Sequence, residues 1–146
     1  MTCGLLLTAL AGCSSSPVPV YPVTGQVTLA DGTPVQTGTI EFTSADGVYT
    51  ARGSIQRDGR FSLTTFREND GAVAGEHRAV VVQVVSTEDL PLHDHHHGPT
   101  IDPKFGHYRR SGLTFTVQPQ PNEFQVTVTA VTVPDPAKPG GSKQSR

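Results

Sequence analysis

Ala51-Arg52-Gly53-Ser54-Ile55-Gln56-Arg57-Asp58-Gly59-Arg60-Phe61-Ser62-Leu63 decides the fold class. Two alternating runs meet at Asp58-Gly59. Asp-Gly between such runs marks a tight turn, because the turn needs positive φ and glycine adopts it without a Cβ clash. Tyr49, Ala51, Gly53 and Ile55 share one face, as do Phe61 and Leu63 on the return run. Thr50, Arg52, Ser54, Ser62 and Thr64 point the other way. The pattern predicts a half-buried antiparallel pair.

The rest of the chain repeats this pattern. Val23, Gly25, Val27 and Leu29 alternate with Thr24, Gln26 and Thr28, and Asp31-Gly32 closes the run. Ile40 and Phe42 face inward before Asp46-Gly47. Phe66 to Gly75 reads as a loop. Ala79 to Val85 is apolar on both faces, which places that strand centrally in a sheet. Leu113, Phe115 and Val117 make one row and Phe124, Val126, Val128 and Ala130 another, with Pro119 to Asn122 as the turn between them. Seven such runs, with no sustained helical period, predict an all-β, seven-stranded antiparallel β-sandwich, with a closed barrel as the alternative.

Composition narrows the function classes. A net charge of -2 and a pI near 6.3 give no basic surface for nucleic acid. Trp is absent and aromatic residues make up 6%, which disfavours a platform for stacking bases or sugars. The two cysteines, Cys3 and Cys13, both precede the alternating pattern, so no disulfide in the domain is expected.

The N-terminus reads as an address. Leu5 to Ala11 is apolar but too short to span a bilayer, and reads as the core of a secretory signal. Leu10-Ala11-Gly12-Cys13 resembles the bacterial lipobox, which implies acylation of Cys13 as the first mature residue. No Lys or Arg precedes the apolar run, so the reading implies a start upstream of Met1. Ser14 resembles the outer-membrane sorting pattern. The expected organisation is therefore a signal peptide over 1–12, a Ser/Pro-rich tether over 13–22, the β-domain over 23–133 and a Pro/Gly/Ser/Lys tail over 134–146.

Val23-Thr24-Gly25-Gln26-Val27 with Asp31-Gly32-Thr33-Pro34-Val35, then Gly53 with Asp58-Gly59-Arg60-Phe61-Ser62-Leu63, then Gly75-Glu76-His77-Arg78-Ala79-Val80-Val81-Val82, follow one another in a telling order. In that order they resemble the carboxypeptidase regulatory-like, transthyretin-like domains. Pro103-Lys104-Phe105 and Ser111-Gly112-Leu113-Thr114 extend the likeness to small bacterial lipoproteins with one such domain. His77 stands where that family usually has Tyr. The resemblance implies a Greek-key sandwich of transthyretin type and no catalytic residues.

His93-Asp94-His95-His96-His97 is the chemically dense stretch. On an extended backbone His93, His95 and His97 share a side, and neutral imidazoles at that spacing suit zinc, nickel or copper. His96 and His107 complete the candidate ligand set, with Asp94 or Asp102 as an oxygen donor. Tyr49, Tyr108, His95 and His97 also match the residue types that hold iron in intradiol dioxygenases, but the Arg-Pro-x-His-x-His arrangement is missing. No Gly-x-Ser-x-Gly, Ser-x-x-Lys or His-Glu-x-x-His motif occurs. The expectation is a non-enzymatic envelope lipoprotein, outer-membrane and periplasm-facing, without a cofactor, that binds the membrane through its lipid and an envelope protein through its sandwich. The alternative is a metal-binding lipoprotein that uses the histidine run.

Overall fold

The computed structural model describes residues 18–83 and 99–131. Within them lie β1 (Val20–Tyr21), β2 (Val23–Leu29), β3 (Thr39–Ser44), β4 (Thr50–Ser54), β5 (Arg60–Ser62), β6 (Ala72–Val73), β7 (Gly75–Val82), a 3-10 helix (Pro103–Gly106), β8 (Leu113–Val117) and β9 (Asn122–Val128). The domain is all-β. One sheet has the order β5-β2-β9, a second β4-β3-β7-β8, and β1 pairs with β6. The seven alternating runs are the strands of the two larger sheets. β1 lies in the stretch expected to be tether, so among the described residues regular structure begins at Val20, and β6 lies in the expected loop after Phe66.

The alternation sets the layers. Val23, Val27 and Leu29 of β2, Phe61 of β5, and Val126 and Val128 of β9 are buried in one cluster with Ile40, Phe42, Ala51, Ala79, Val81 and Val117 of the other sheet. The two sheets therefore pack face to face. Phe42, wholly buried, lies 4.9 Å from the Phe115 ring, 5.9 Å from Phe124 and 6.4 Å from Phe61. A fully buried side chain such as Phe42 contributes roughly 1.5–3 kcal/mol, and the partly buried Phe115 and Phe124 less. β7 is a central strand, between β3 and β8, as its two-sided apolar sequence predicts.

Two expected hairpins are corners between sheets. Gly59 does turn the chain at φ +81, with Gly59 N–H bonded to Gln56 O at 2.8 Å. Yet β4 pairs with β3 while β5 pairs with β2, and the two runs are joined by the Arg52–Thr64 bridge and, at the turn, by Gln56 N–H to Arg60 O at 2.8 Å. Gly53 is the reason. A Cβ there would lie 2.4 Å from the Ser62 carbonyl oxygen, so the return run crosses against bare backbone instead of pairing alongside. Within the receiving sheet Gly25 lies opposite both Phe61 and Phe124, and a Cβ there would lie 2.7 Å from the Phe61 ring and 2.2 Å from the Phe124 carbonyl oxygen. The turn at Pro119 to Asn122 likewise passes from β8 to the other sheet. The Asn122 side chain clasps it through Gln118 N–H at 2.9 Å and Gln118 O at 3.1 Å.

The pairing is not wholly antiparallel. β9 runs parallel to β2 in full register, from Val23 opposite Asn122 to Leu29 opposite Val128. That register puts the inward rows of both strands on one face, which satisfies the apolar pattern whichever way the strand runs.

Two glycines separate close strand packing from ordinary turn chemistry. Gly25→Ala should lower stability by about 3 kcal/mol or more, since neither backbone nor ring can yield cheaply. Gly47→Ala, at φ +75 in open space, should cost only about 1–2 kcal/mol. Urea midpoints of the two variants check this; equal losses would contradict the close approach of β5 and β9 to Gly25.

Candidate functional site

Cys13, His93, His95, His96 and His97 lie outside the described residues. His107 is exposed just after the 3-10 helix, and its carbonyl accepts N–H from Arg110 and Ser111 at 2.9 and 2.8 Å. Among the described residues no three His, Cys, Asp or Glu come together in a way that could hold a metal ion. The two tyrosines of the iron analogy serve different contacts, with Tyr49 edge-on to Phe66 at 6.2 Å and Tyr108 bonded to Glu41 and Thr43.

What the fold assembles instead is a clasp on the outer face of the four-stranded sheet. Glu41 and Thr43 are outward positions of β3, and their register partners on β4 are Arg52 and Thr50. The Glu41 carboxylate accepts from Arg52 Nε and from the Tyr108 hydroxyl. Thr43 Oγ1 donates to the Tyr108 oxygen at 2.8 Å and lies 3.1 Å from Thr50 Oγ1. Thr43 has one hydroxyl proton, so Thr50 donates to it, and the chain of donors runs from Thr50 through Thr43 and Tyr108 to Glu41. Burial and the bond to Glu41 push the Tyr108 phenol up to about 12.

The clasp fixes the segment that carries Tyr108. That segment is also held by Ser111 Oγ, which donates to Ala79 O at 2.7 Å. Its base is closed by Asp102 N–H to Thr129 O and Val131 N–H to Thr100 O, both at 2.8 Å, and by Gln83 Oε1, which accepts from Ile101 N–H at 3.1 Å. Arg52 is outward, as its alternation predicts, and largely exposed; its pairing with Glu41 and the clasp on Tyr108 are additions of the fold. The available signal was Glu41 and Arg52 at outward positions equidistant from the Asp46-Gly47 turn.

A groove of about 580 Å³ follows the seam where β4 and β5, the edge strands of the two sheets, come side by side. Arg52, Ser54, Gln56, Arg60 and Thr64 are among its lining residues. Thr64 is half-buried rather than outward, with Oγ1 accepting from Asn69 N–H at 2.9 Å. Arg60 is largely exposed, 3.5 Å from Asp58. The seam offers charge of both signs and hydrogen-bonding groups along an extended course.

His77 is the titratable group inside the core, 1% exposed and 6.2 Å from the Phe42 ring. Its Nδ1 lies 3.0 Å from Gly75 O, and a carbonyl only accepts, so Nδ1 carries the proton. Burial holds its pKa below the ordinary 6.5, against the opposing effects of the Gly75 carbonyl and the Asp46 charge. The aspartates of the turns are ionised structural acceptors. Asp31, Asp46 and Asp70 are held below 3.8, the first by Thr33, the second by Ser44 and Val48, the third by the N–H groups of Thr65, Arg67 and Phe66 against its own desolvation.

These shifts set two pH windows. The unfolded chain protonates His77 at 6.5, before the folded chain does, so its stabilising effect is complete above 6.5 and declines as pH falls below it. The carboxylates remove stability only as pH falls below about 3.8. His77→Phe should flatten the upper decline and leave the lower one, as read by denaturation midpoints across pH; an unchanged upper slope would contradict a neutral buried ring. Tyr108→Phe should cost about 1–2 kcal/mol, because Thr43 loses its acceptor while Glu41 keeps Arg52. A midpoint equal to wild type would show that the clasp does not hold the segment. No family model, no curated protein and no solved structure matches the chain.

Proposed function

We propose that the protein is a lipid-anchored protein of the bacterial cell envelope, whose transthyretin-like, seven-stranded sandwich works as a non-catalytic interaction module. The observation that carries this reading is the number of residues between the lipobox-like Leu10-Ala11-Gly12-Cys13 and Val20, the first paired residue among those described. Residues 14–19 alone separate them. At about 3.4 Å per residue the link spans at most ~24 Å, so an acylated Cys13 would keep the domain close to the lipid surface. Several acyl chains on one cysteine would make that attachment stable, since a single chain binds only marginally, on the order of 10⁴ M⁻¹.

The seam groove supports the interaction role. Edge strands carry backbone groups that a neighbouring extended segment can pair with, and side chains such as Arg60 and Gln56 would select among segments. The partner in this reading is another envelope protein. The competing reading, a metal-binding lipoprotein, rests on the histidine run of 93–97; the metal content of protein purified without an affinity tag separates the two.

Mass spectrometry of the protein from its native envelope should show a lipid mass on Cys13 as the first residue, and Cys13→Ala should release the domain or block processing. An unmodified wild-type protein in the soluble fraction would overturn the reading.

A further inference from the structure

The end of the domain at which the chain enters carries an exposed apolar cluster. Val48 and Phe66 are 65% and 57% exposed, and Val18, just before β1, is 39% exposed. Tyr49 joins the first two, with its ring edge-on to Phe66 at 6.2 Å and 83°. The loop holding Phe66 abuts the entering strand, since a Cβ on Gly71 would fall 1.8 Å from the Tyr21 carbonyl oxygen. The other large exposed apolar residues among those described, Val82 and Val131, lie at the opposite end. β2 starts beside Asn122 and ends beside Val128, and Val131 follows beyond.

Both tips are held outward by rigid turns. The Asp46 carboxylate accepts from Val48 N–H at 3.0 Å and from Ser44 Oγ at 2.5 Å. The Asp70 carboxylate accepts from the N–H groups of Thr65, Phe66 and Arg67 at 2.7, 3.0 and 2.8 Å. With their backbones pinned, the side chains of Val48 and Phe66 have no route inward.

We propose that Val48 and Phe66 form an apolar seat that rests in the headgroup region of the membrane carrying the protein, with Val18 at its margin. This rests on the anchoring of Cys13. The occupant follows from the chain: residues 14–19 run from this end of the domain to the acylated cysteine, so the surface facing the seat is lipid. Two side chains could not hold a protein on a bilayer. They can orient one that is already tethered, because the anchor raises the local concentration of lipid at the seat. The seat turns the Val131 end, together with Gln83 and Pro99, toward the aqueous side.

The chain has no Trp, so a single introduced Trp is a clean reporter. Phe66→Trp, Val48→Trp and Val131→Trp would be made in the full-length acylated protein. Each would be floated on phosphatidylethanolamine–phosphatidylglycerol vesicles with and without brominated acyl chains. Emission at positions 66 and 48 should shift to the blue and be quenched roughly twofold or more by the brominated lipid, while position 131 stays in water and unquenched. Should the variant at 66 fail to fold, the reporter at 48 decides. Protein that floats with positions 66 and 48 unquenched, or quenched no more than 131, overturns the seat alone. Wild-type protein that carries no lipid and does not float overturns the anchoring and the seat with it.

Discussion

Two missing methyl groups hold this domain together. At Gly53 the Ser62 carbonyl comes to where a Cβ would stand, and at Gly25 the Phe61 ring and the Phe124 carbonyl do the same. At Gly53 the return run lies against bare backbone as the chain leaves the edge of one sheet, and at Gly25 the strands of the receiving sheet close on one another in the same way. Once across, Phe61 meets Phe42, whose other neighbours include Phe115 from its own sheet and Phe124 from the facing one. Closely packed interiors tolerate little extra volume, so this aromatic bridge depends on the crossing being bare.

The sequence made the layers legible and left the connections hidden. Val23, Val27, Ile40 and Phe42 announce their burial through simple alternation, because the period of a strand is two whatever its partner. Gly59 and Gly47 announce their turns because positive φ selects glycine. Turn chemistry says that the chain reverses; it does not say whether the reversal stays in one sheet. Hence Asp46-Gly47 joins paired strands while Asp58-Gly59, equally hairpin-like, joins two sheets. The parallel pairing of β9 was hidden for the same reason, since inward rows align in either direction. The hairpin register of Glu41 opposite Arg52 is local, but the Tyr108 clasp joins residues 67 positions apart, Tyr108 and Glu41, and no local pattern encodes that contact.

Among the described residues the polar side chains divide into those bonded within the fold and those exposed at its surface. Glu41, Thr43, Thr50 and Tyr108 bind one another, and the turn aspartates Asp31, Asp46 and Asp70 are each committed to backbone N–H groups. His77 serves as a core ring with one hydrogen bond to a carbonyl. These groups build the scaffold. The seam offers Arg60 and Gln56, and the entering end offers Val48 and Phe66. The polar seam and the apolar entering end are the exposed features on which the proposed envelope role draws.

The passage of the chain from β4 in one sheet to β5 in the other is open to direct observation by NMR. Nuclear Overhauser contacts between the Gly25 α protons and the Phe61 ring, with ring-current shifts of those α protons, are expected together with interstrand contacts between β2 and β9 in parallel register. A continuous antiparallel ladder of contacts joining 51–55 to 60–64 would contradict the crossing, because it would place both runs in a single sheet.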